Sequence, residues 1–304
     1  MPAISIKDLK KHYGEVKAVD GISLEVQEKE IFGILGPNGA GKTTTLEMVE
    51  TLREPDSGEI HVLGMDVLDD PKAIKEIIGV QLQTTVFFDN LKVRETIDLF
   101  SSFYPNTLPI DELIDTVALG DRAGAMVSDL SGGQHKRLSI SLALVNDPRI
   151  VFLDEPTTGL DPQARRRIWE IVEGLRDQDK TVVVTTHYIE EAEYLCDRVA
   201  VMDHGKIIAL GTPDALINEY VSDSIITFRL SGPVGVEEIE AVIGVKTADL
   251  HNGEYLVSTT TPQETLVGIF AMAHEQQVKA TDINMKRATL EDVFLKITGR
   301  RIRE

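Results

Sequence analysis

The sequence predicts an α/β layered domain followed by a smaller α+β unit, and three features carry that reading. Short runs that are wholly apolar or β-branched, Ile150–Leu153 and Thr181–Thr185, have the composition of strands covered on both faces, as in a parallel sheet. A third such run, Glu30–Leu35, leads straight into a glycine-rich turn and then a helical pattern. Beyond about residue 220 the order becomes β-α-β-β-α-β, the split βαβ of a ferredoxin-like unit.

Taken in order, Ile4–Lys7, Gly21–Val26 and Glu30–Leu35 read as strands. A helix begins at Gly41 and ends near Arg53, where Glu-Pro-Asp-Ser-Gly supplies a stop and a turn. Ser57–Val62 and Val80–Leu82 read as further strands, and residues 92–146 as mostly helical with Pro, Gly and Asn breaks. Strands alternating with helices after about residue 75 indicate the α/β layers. Past the change near residue 220, strands are expected at Ile225–Leu230, Gly244–Leu250, Glu254–Thr259 and Val278–Met285, and helices at Glu264–His274 and Leu290–Ile297. The expected domains are therefore 1–219 and 220–304, the second an accessory domain without chemical motifs.

With 50 Asp and Glu against 31 Lys and Arg, the chain carries a net charge of −19, which disfavours nonspecific nucleic-acid binding. The basic stretch Arg300-Arg301-Ile302-Arg303 reads as a solvated terminus. A single cysteine, Cys196, rules out an intrachain disulfide, fits a reducing cytosolic compartment and reads as a small buried hydrophobe. Neither a basic-then-apolar leader nor an apolar run of membrane-spanning length is present, so a membrane role requires another chain to cross the bilayer.

Residues 36–43, Gly-Pro-Asn-Gly-Ala-Gly-Lys-Thr, match the spacing of a phosphate-binding loop between a strand and a helix. A phosphate chain needs backbone N–H groups around it. Gly36, Gly39 and Gly41 give the freedom for that wrapping, and the helix N-terminus favours the anion. Lys42 is a point charge for the β- and γ-phosphates, and Thr43 offers its hydroxyl to Mg²⁺. The strand Ile150–Leu153 runs into Asp154 and Glu155. Alternation along a strand would point these to opposite sides and divide their work, Asp154 to the metal and Glu155 to orienting and deprotonating the attacking water. Gln83 is placed to reach metal or water, and His187, at a strand's C-terminal end, to contact the γ-phosphate. Leu-Ser-Gly-Gly-Gln at 130–134 precedes a strong helix; Ser131 is a good N-cap there, and the helix end is a second anion-binding terminus.

GPNGAGKTT at 36–44, LSGGQ at 130–134, VFLDEPTTGLD at 151–161 and His187 together resemble the nucleotide-binding subunits of ABC transporters, over residues 1 to about 215 and in the family's order. The resemblance implies a mixed-sheet ATPase core with a helical subdomain, and ATP with Mg²⁺ held through Thr43, Asp154 and Gln83. The nucleotide-binding set becomes Gly36, Pro37, Asn38, Gly39, Ala40, Gly41, Lys42, Thr43 and Thr44. It also implies a homodimer closing head to tail on two ATP molecules, with Ser131 and Gly133 facing the partner's γ-phosphate and Gly132 and Gln134 in the same nucleotide-binding set. Tyr13 matches the aromatic that stacks on adenine, and Asp161 the residue that couples the two sites. Gln83 begins the loop that meets the membrane subunit, which makes Thr84–Asp89, with Phe87 and Phe88, the expected coupling surface.

Residues 288–299, Ala-Thr-Leu-Glu-Asp-Val-Phe-Leu-Lys-Ile-Thr-Gly, resemble the tail of ATPases from ABC-2 drug and daunorubicin exporters. That implies an integral-membrane permease of the ABC-2 type as partner, a place on the inner face of the membrane, and a tail that steadies the dimer. A soluble ABC ATPase acting on ribosomes or DNA is the competing reading. One cassette, no coiled-coil insertion and an acidic balance weigh against it, and intact Glu155 and His187 weigh against a subunit without turnover.

Overall fold

In the computed structural model, residues 2–221, 223–286 and 288–299 are described, and the basic stretch from Arg300 lies outside them. The chain divides into two compact units, one reaching Pro213 and the other starting at Asp214.

The first unit opens with the hairpin β1 (Ile4–Tyr13) and β2 (Val16–Val26), followed by β3 (Ile31–Leu35) and helix α1 (Lys42–Val49). β4 (Ser57–Val62), β5 (Met65–Asp66), α2 (Pro71–Ile77) and β6 (Ile78–Gln81) come next. A helical stretch holds α3 (Val93–Ser101), α4 (Ile110–Thr116) and α5 (Gly132–Ala143). The chain then returns to the sheet through β7 (Ile150–Asp154), α6 (Pro162–Asp177), β8 (Thr181–Thr186), α7 (Ile189–Leu195), β9 (Arg198–Asp203) and β10 (Lys206–Gly211).

Two sheets share one core. The outer sheet, β2-β1-β4-β5, is antiparallel, and the central sheet has the order β10-β9-β3-β8-β7-β6. Every central neighbour pair is parallel except β9 with β10. All residues of β3, β7 and β8 are buried, as their uninterrupted apolar and β-branched composition requires of strands covered on both faces. Phe32 and Phe152 from the central sheet pack in the same cluster as Ile4, Leu9 and Ile60 from the outer one. Because β3 lies between β8 and β9, the C-terminal ends of β3, β7 and β8 open on one crevice, the place where an open α/β sheet binds ligands.

β1 and β2 extend well past the segments expected from sequence. Asp8 takes a positive φ of 44°, and the β1–β2 register shifts between Ile6 and Leu9. That bulge breaks the two-residue alternation on which a sequence reading relies. β9 and β10 were not anticipated either. Their turn, His204-Gly205, has positive φ at both residues (48° and 73°), the geometry of a two-residue hairpin, without the Asn-Gly or Asp-Gly that usually announces one.

The second unit holds α8 (Pro213–Tyr220) from Asp214 onward, then β11 (Ser224–Leu230), α9 (Val236–Glu240), β12 (Val245–His251), β13 (Glu254–Thr259), α10 (Pro262–Glu275), β14 (Ala280–Lys286) and α11 (Leu290–Thr298). Its sheet is antiparallel throughout, in the order β12-β13-β11-β14, the strand order of a ferredoxin-like unit with α9 and α10 as crossovers. Phe228 stacks on Tyr255 at 5.2 Å, and the tyrosine hydroxyl donates to Val234 O (2.6 Å), so the ring's polar end is satisfied inside the core. No helix among the described residues is long and apolar enough to cross a membrane.

β6 carries the closest approach between the central sheet and the helical stretch. A Cβ built on Gly79 would lie 1.8 Å from Ala143 O at the end of α5. Gly79→Ala is expected to destabilise the chain by about 3 kcal/mol through forced separation of α5 from β6, read as a lowered thermal unfolding midpoint.

Candidate active site

The crevice is built around the turn joining β3 to α1. Gly36 N–H donates to Thr186 O (3.2 Å), which fixes the start of the turn to the end of β8. Gly41 closes it at φ 106°, where a Cβ would lie 2.1 Å from Ala18 O, so both backbone conformation and space demand glycine. α1 has no side-chain cap and no acidic residue in its first turn. Its leading N–H groups and the positive end of its dipole are left for an anion. From outside, the β9–β10 hairpin holds the turn: Gly205 N–H donates to Ala40 O (3.0 Å), and Met202 O sits 2.2 Å from where a Cβ on Gly36 would be.

Lys42, buried at 5% exposure, folds back to donate to Gly36 O (2.8 Å) and Pro37 O (3.2 Å), with its ammonium 3.3 Å from Glu155 Oε1. Burial lowers its pKa and the Glu155 charge works against that shift. Asp154 accepts from Thr43 Oγ1 (3.0 Å) and from the Thr185 hydroxyl.

Asp154 and Glu155 do not part to opposite sides as strand alternation would have it. β7 ends at Asp154, and Glu155 turns into the left-handed region (φ 47°) with its N–H donating to Thr185 Oγ1 (3.0 Å). That turn brings both carboxylates to the same crevice. Glu155 Oε1 lies 3.3 Å from His187 Nδ1 as well as from Lys42, while Oε2 accepts from Thr158 Oγ1 (3.1 Å) and Gln83 Nε2 (3.3 Å). Burial raises the pKa of Glu155, but the Lys42 and His187 charges outweigh it and hold the carboxyl below its ordinary value. It is therefore an ionised carboxylate at neutral pH.

A cleft of about 670 Å³ runs over these groups, lined by Gln83 and Glu155, by the turn, and by Glu15, Val16 and His204. Its volume suits a nucleotide-sized ligand. The Thr43 hydroxyl and Asp154 carboxylate, side by side at the helix end, are hard oxygen donors of the kind magnesium takes one or two at a time beside phosphate and water. Among the described residues no group of three or more His, Cys, Asp or Glu side chains could hold a metal unaided.

A family profile described as ABC transporter matches residues 19–158. A daunorubicin resistance ATP-binding protein of Streptomyces coeruleorubidus is 37% identical over 99% of this chain and 98% of its own length. The chain belongs to the ABC transporter ATP-binding proteins. The Nod factor export ATP-binding protein I of Rhizobium etli is 38% identical, covering 99% of this chain and 94% of that protein. Among solved structures, a dimeric ATP-binding cassette in a post-hydrolysis state with ADP and Pi aligns at a TM-score of 0.62 and 28% identity, over 69% of this chain and 98% of that one. An ATP-binding subunit of an ABC transporter aligns at a TM-score of 0.64 and 26% identity, over 72% and 93%. The chain is accordingly an ATP-binding ABC ATPase.

Within this ABC ATPase the structure gathers Gly36–Thr44, Gln83, Asp154, Glu155 and His187 around the crevice, and sets other expected residues elsewhere. Ser131 caps α5 in a reciprocal capping box with Gln134 (3.3 and 2.8 Å), and it does not line this subunit's cleft, nor do Gly132 and Gly133. Asp161 caps α6, accepting from Gln163 and Ala164 N–H at 2.9 Å. Tyr13 is 43% exposed with the Arg53 guanidinium 5.4 Å from its ring, also outside the cleft lining. Lys136, overlooked in the sequence, donates to the carbonyls of Gln83 (3.0 Å) and Glu155 (3.4 Å). A basic residue in a strongly patterned helix gives no sequence signal for such a contact.

A second unexpected group is Glu50, just past α1. It is 2% exposed, its Oε1 has no hydrogen-bond partner, and burial, with the Asp154 and Glu47 charges adding, raises its pKa to about 8. The folded chain thus holds a proton on Glu50 that the unfolded chain releases near its ordinary value of 4.5. Stability from this group is present at low pH and is lost progressively as pH rises from about 4.5 to about 8. Glu50→Gln, which mimics the protonated form, should gain stability over the parent on going from pH 5 to pH 8, on the order of 2 kcal/mol or more. Thermal midpoints of the two proteins at both pH values check the sign.

Proposed function

We propose that this ABC ATPase energises a membrane exporter by closing as a homodimer on two ATP molecules and reopening on hydrolysis. The carrying observation is Glu155: an ionised carboxylate with Lys42 and His187 each 3.3 Å away, lining a nucleotide-sized cleft. ATP laid with its phosphates over residues 36–43 places its γ-phosphate beside this group. Lys42 then exchanges the carbonyls of Gly36 and Pro37 for phosphate oxygens. Water attacks the γ-phosphorus as its proton passes to Glu155 and the bond to the β-phosphate bridging oxygen breaks, releasing ADP and phosphate. His187 donates to the γ-phosphate, and Gln83 orients the water. The Thr43 hydroxyl and Asp154, with Gln83 in reach, would hold magnesium, which would supply positive charge to the phosphates.

The N-terminus of α5, Ser131 to Gln134, does not line its own cleft and so is available to cap the γ-phosphate of a second copy; Gly133 abuts Ala164 in the first turn of α6, the helix that Asp161 caps. A relative solved as a dimer after hydrolysis supports that closure. Export is supported by the names of the full-length relatives, one for daunorubicin resistance and one for Nod factor export. The tail at 288–299 supports a permease of the ABC-2 type, with the ATPase peripheral on the cytoplasmic face and Thr84–Asp89, in the loop that Gln83 begins, facing the permease. Tyr13 stacks on adenine.

Glu155→Gln is expected to retain ATP while hydrolysis drops by about 10² to 10⁴-fold. Light scattering should then find it dimeric with MgATP and monomeric without. Lys42→Ala should lose ATP binding or turnover through removal of the phosphate's counter-charge, read by equilibrium dialysis and phosphate release.

A further inference from the structure

We propose that Lys136 is a positioning residue for hydrolysis, tying the helix that begins at Ser131 to the backbone of both Gln83 and Glu155. This rests on Glu155 being the base. Lys136 lies in the second turn of α5, and its ammonium donates to Gln83 O (3.0 Å) and Glu155 O (3.4 Å). One cation thus joins three segments: α5, the loop after β6, and the residue that follows β7.

The contact falls where backbone restraint matters most. Glu155 sits at φ 47°, a left-handed conformation that a non-glycine residue holds only when its surroundings enforce it. Its N–H is fixed to Thr185 on β8. Its carbonyl is held by Lys136 and by the Thr158 N–H (3.4 Å). Rotation of the Glu155 peptide would swing the carboxylate away from Lys42 and His187, so the Lys136 bond bears on the aim of the base without touching the reacting atoms. The same ammonium grips Gln83, whose side chain reaches Glu155 Oε2 (3.3 Å). Movement of the α5 N-terminus against a second copy therefore reaches both groups together. A cation on two carbonyls makes stronger bonds than a neutral donor.

The test uses the full chain with MgATP. Lys136→Met keeps the length and removes both donors; kcat should fall about 10 to 100-fold, with ATP KM within about threefold and an unchanged thermal midpoint. Lys136→Arg, which restores a donor, should recover most of the loss. In a Glu155→Gln background, Lys136→Met should cost less than about twofold more, because the group it aims is already disabled. A Met variant with parental kcat overturns the proposal, as does a loss shared with KM and the thermal midpoint that Arg fails to repair, or a full additional loss in the Glu155→Gln background. Glu155→Gln in the same assay separates the two readings: full turnover by it removes the base assignment, whereas its inactivity beside an unaffected Lys136→Met removes only the positioning role.

Discussion

The Lys42–Glu155 pair is the constraint around which the first unit is organised. Two opposite charges at 5% exposure each, 3.3 Å apart, stand where desolvation opposes both. A buried ion pair of this kind adds little to stability over an apolar substitute, while loss of one partner strands the other. Its value lies in readiness. The lysine is paired with the carboxylate and bonded to the turn's own carbonyls, so a triphosphate meets a cation that is already aimed and partly dehydrated. The crevice at the ends of β3, β7 and β8, the glycine at φ 106°, and the threonine pair around Asp154 all serve to hold those two charges in place.

How much of this was legible beforehand depends on the range of the interaction concerned. The phosphate turn could be read because its requirements are local: glycines at fixed spacing, a strand before, a helix after. The second unit's strand order followed from element order alone, since short crossovers leave few topologies. What escaped was long-range or conformational. Nothing in the dipeptide Asp154-Glu155 announces that the second residue turns left-handed and faces the same way as the first; the turn is enforced by Thr185, thirty residues later. Lys136 and Glu50 escaped for the same reason, as their partners are 19 or more residues away for the lysine and, for the glutamate, the Asp154 charge on another element. The missing β9–β10 hairpin is a failure of turn chemistry, because His204-Gly205 adopts a shape more often marked by Asn or Asp.

Two other buried polar groups show how the core tolerates them. Glu191 accepts from Trp169 Nε1 (2.9 Å), and burial pushes its pKa up against the hydrogen bonds and the Arg165 charge that favour its ionised form. Cys196 fills the space beside Gly33, where a Cβ would lie 2.6 Å from its sulfur, and burial pushes its thiol well above the usual range. The thiol is thus a space-filling group, unreactive for want of thiolate.

The β9–β10 hairpin contains no residue of any recognised motif, yet it braces the phosphate turn through Gly205 N–H and the Met202 carbonyl, and reaches back to Asp20 through Gly205 O (2.8 Å). The nucleotide turn therefore leans on a stretch outside every signature segment. Lengthening or shortening the corner at 204–205 would slacken the loop from behind while leaving every signature segment letter-perfect, and a search by motif would score such a chain as intact.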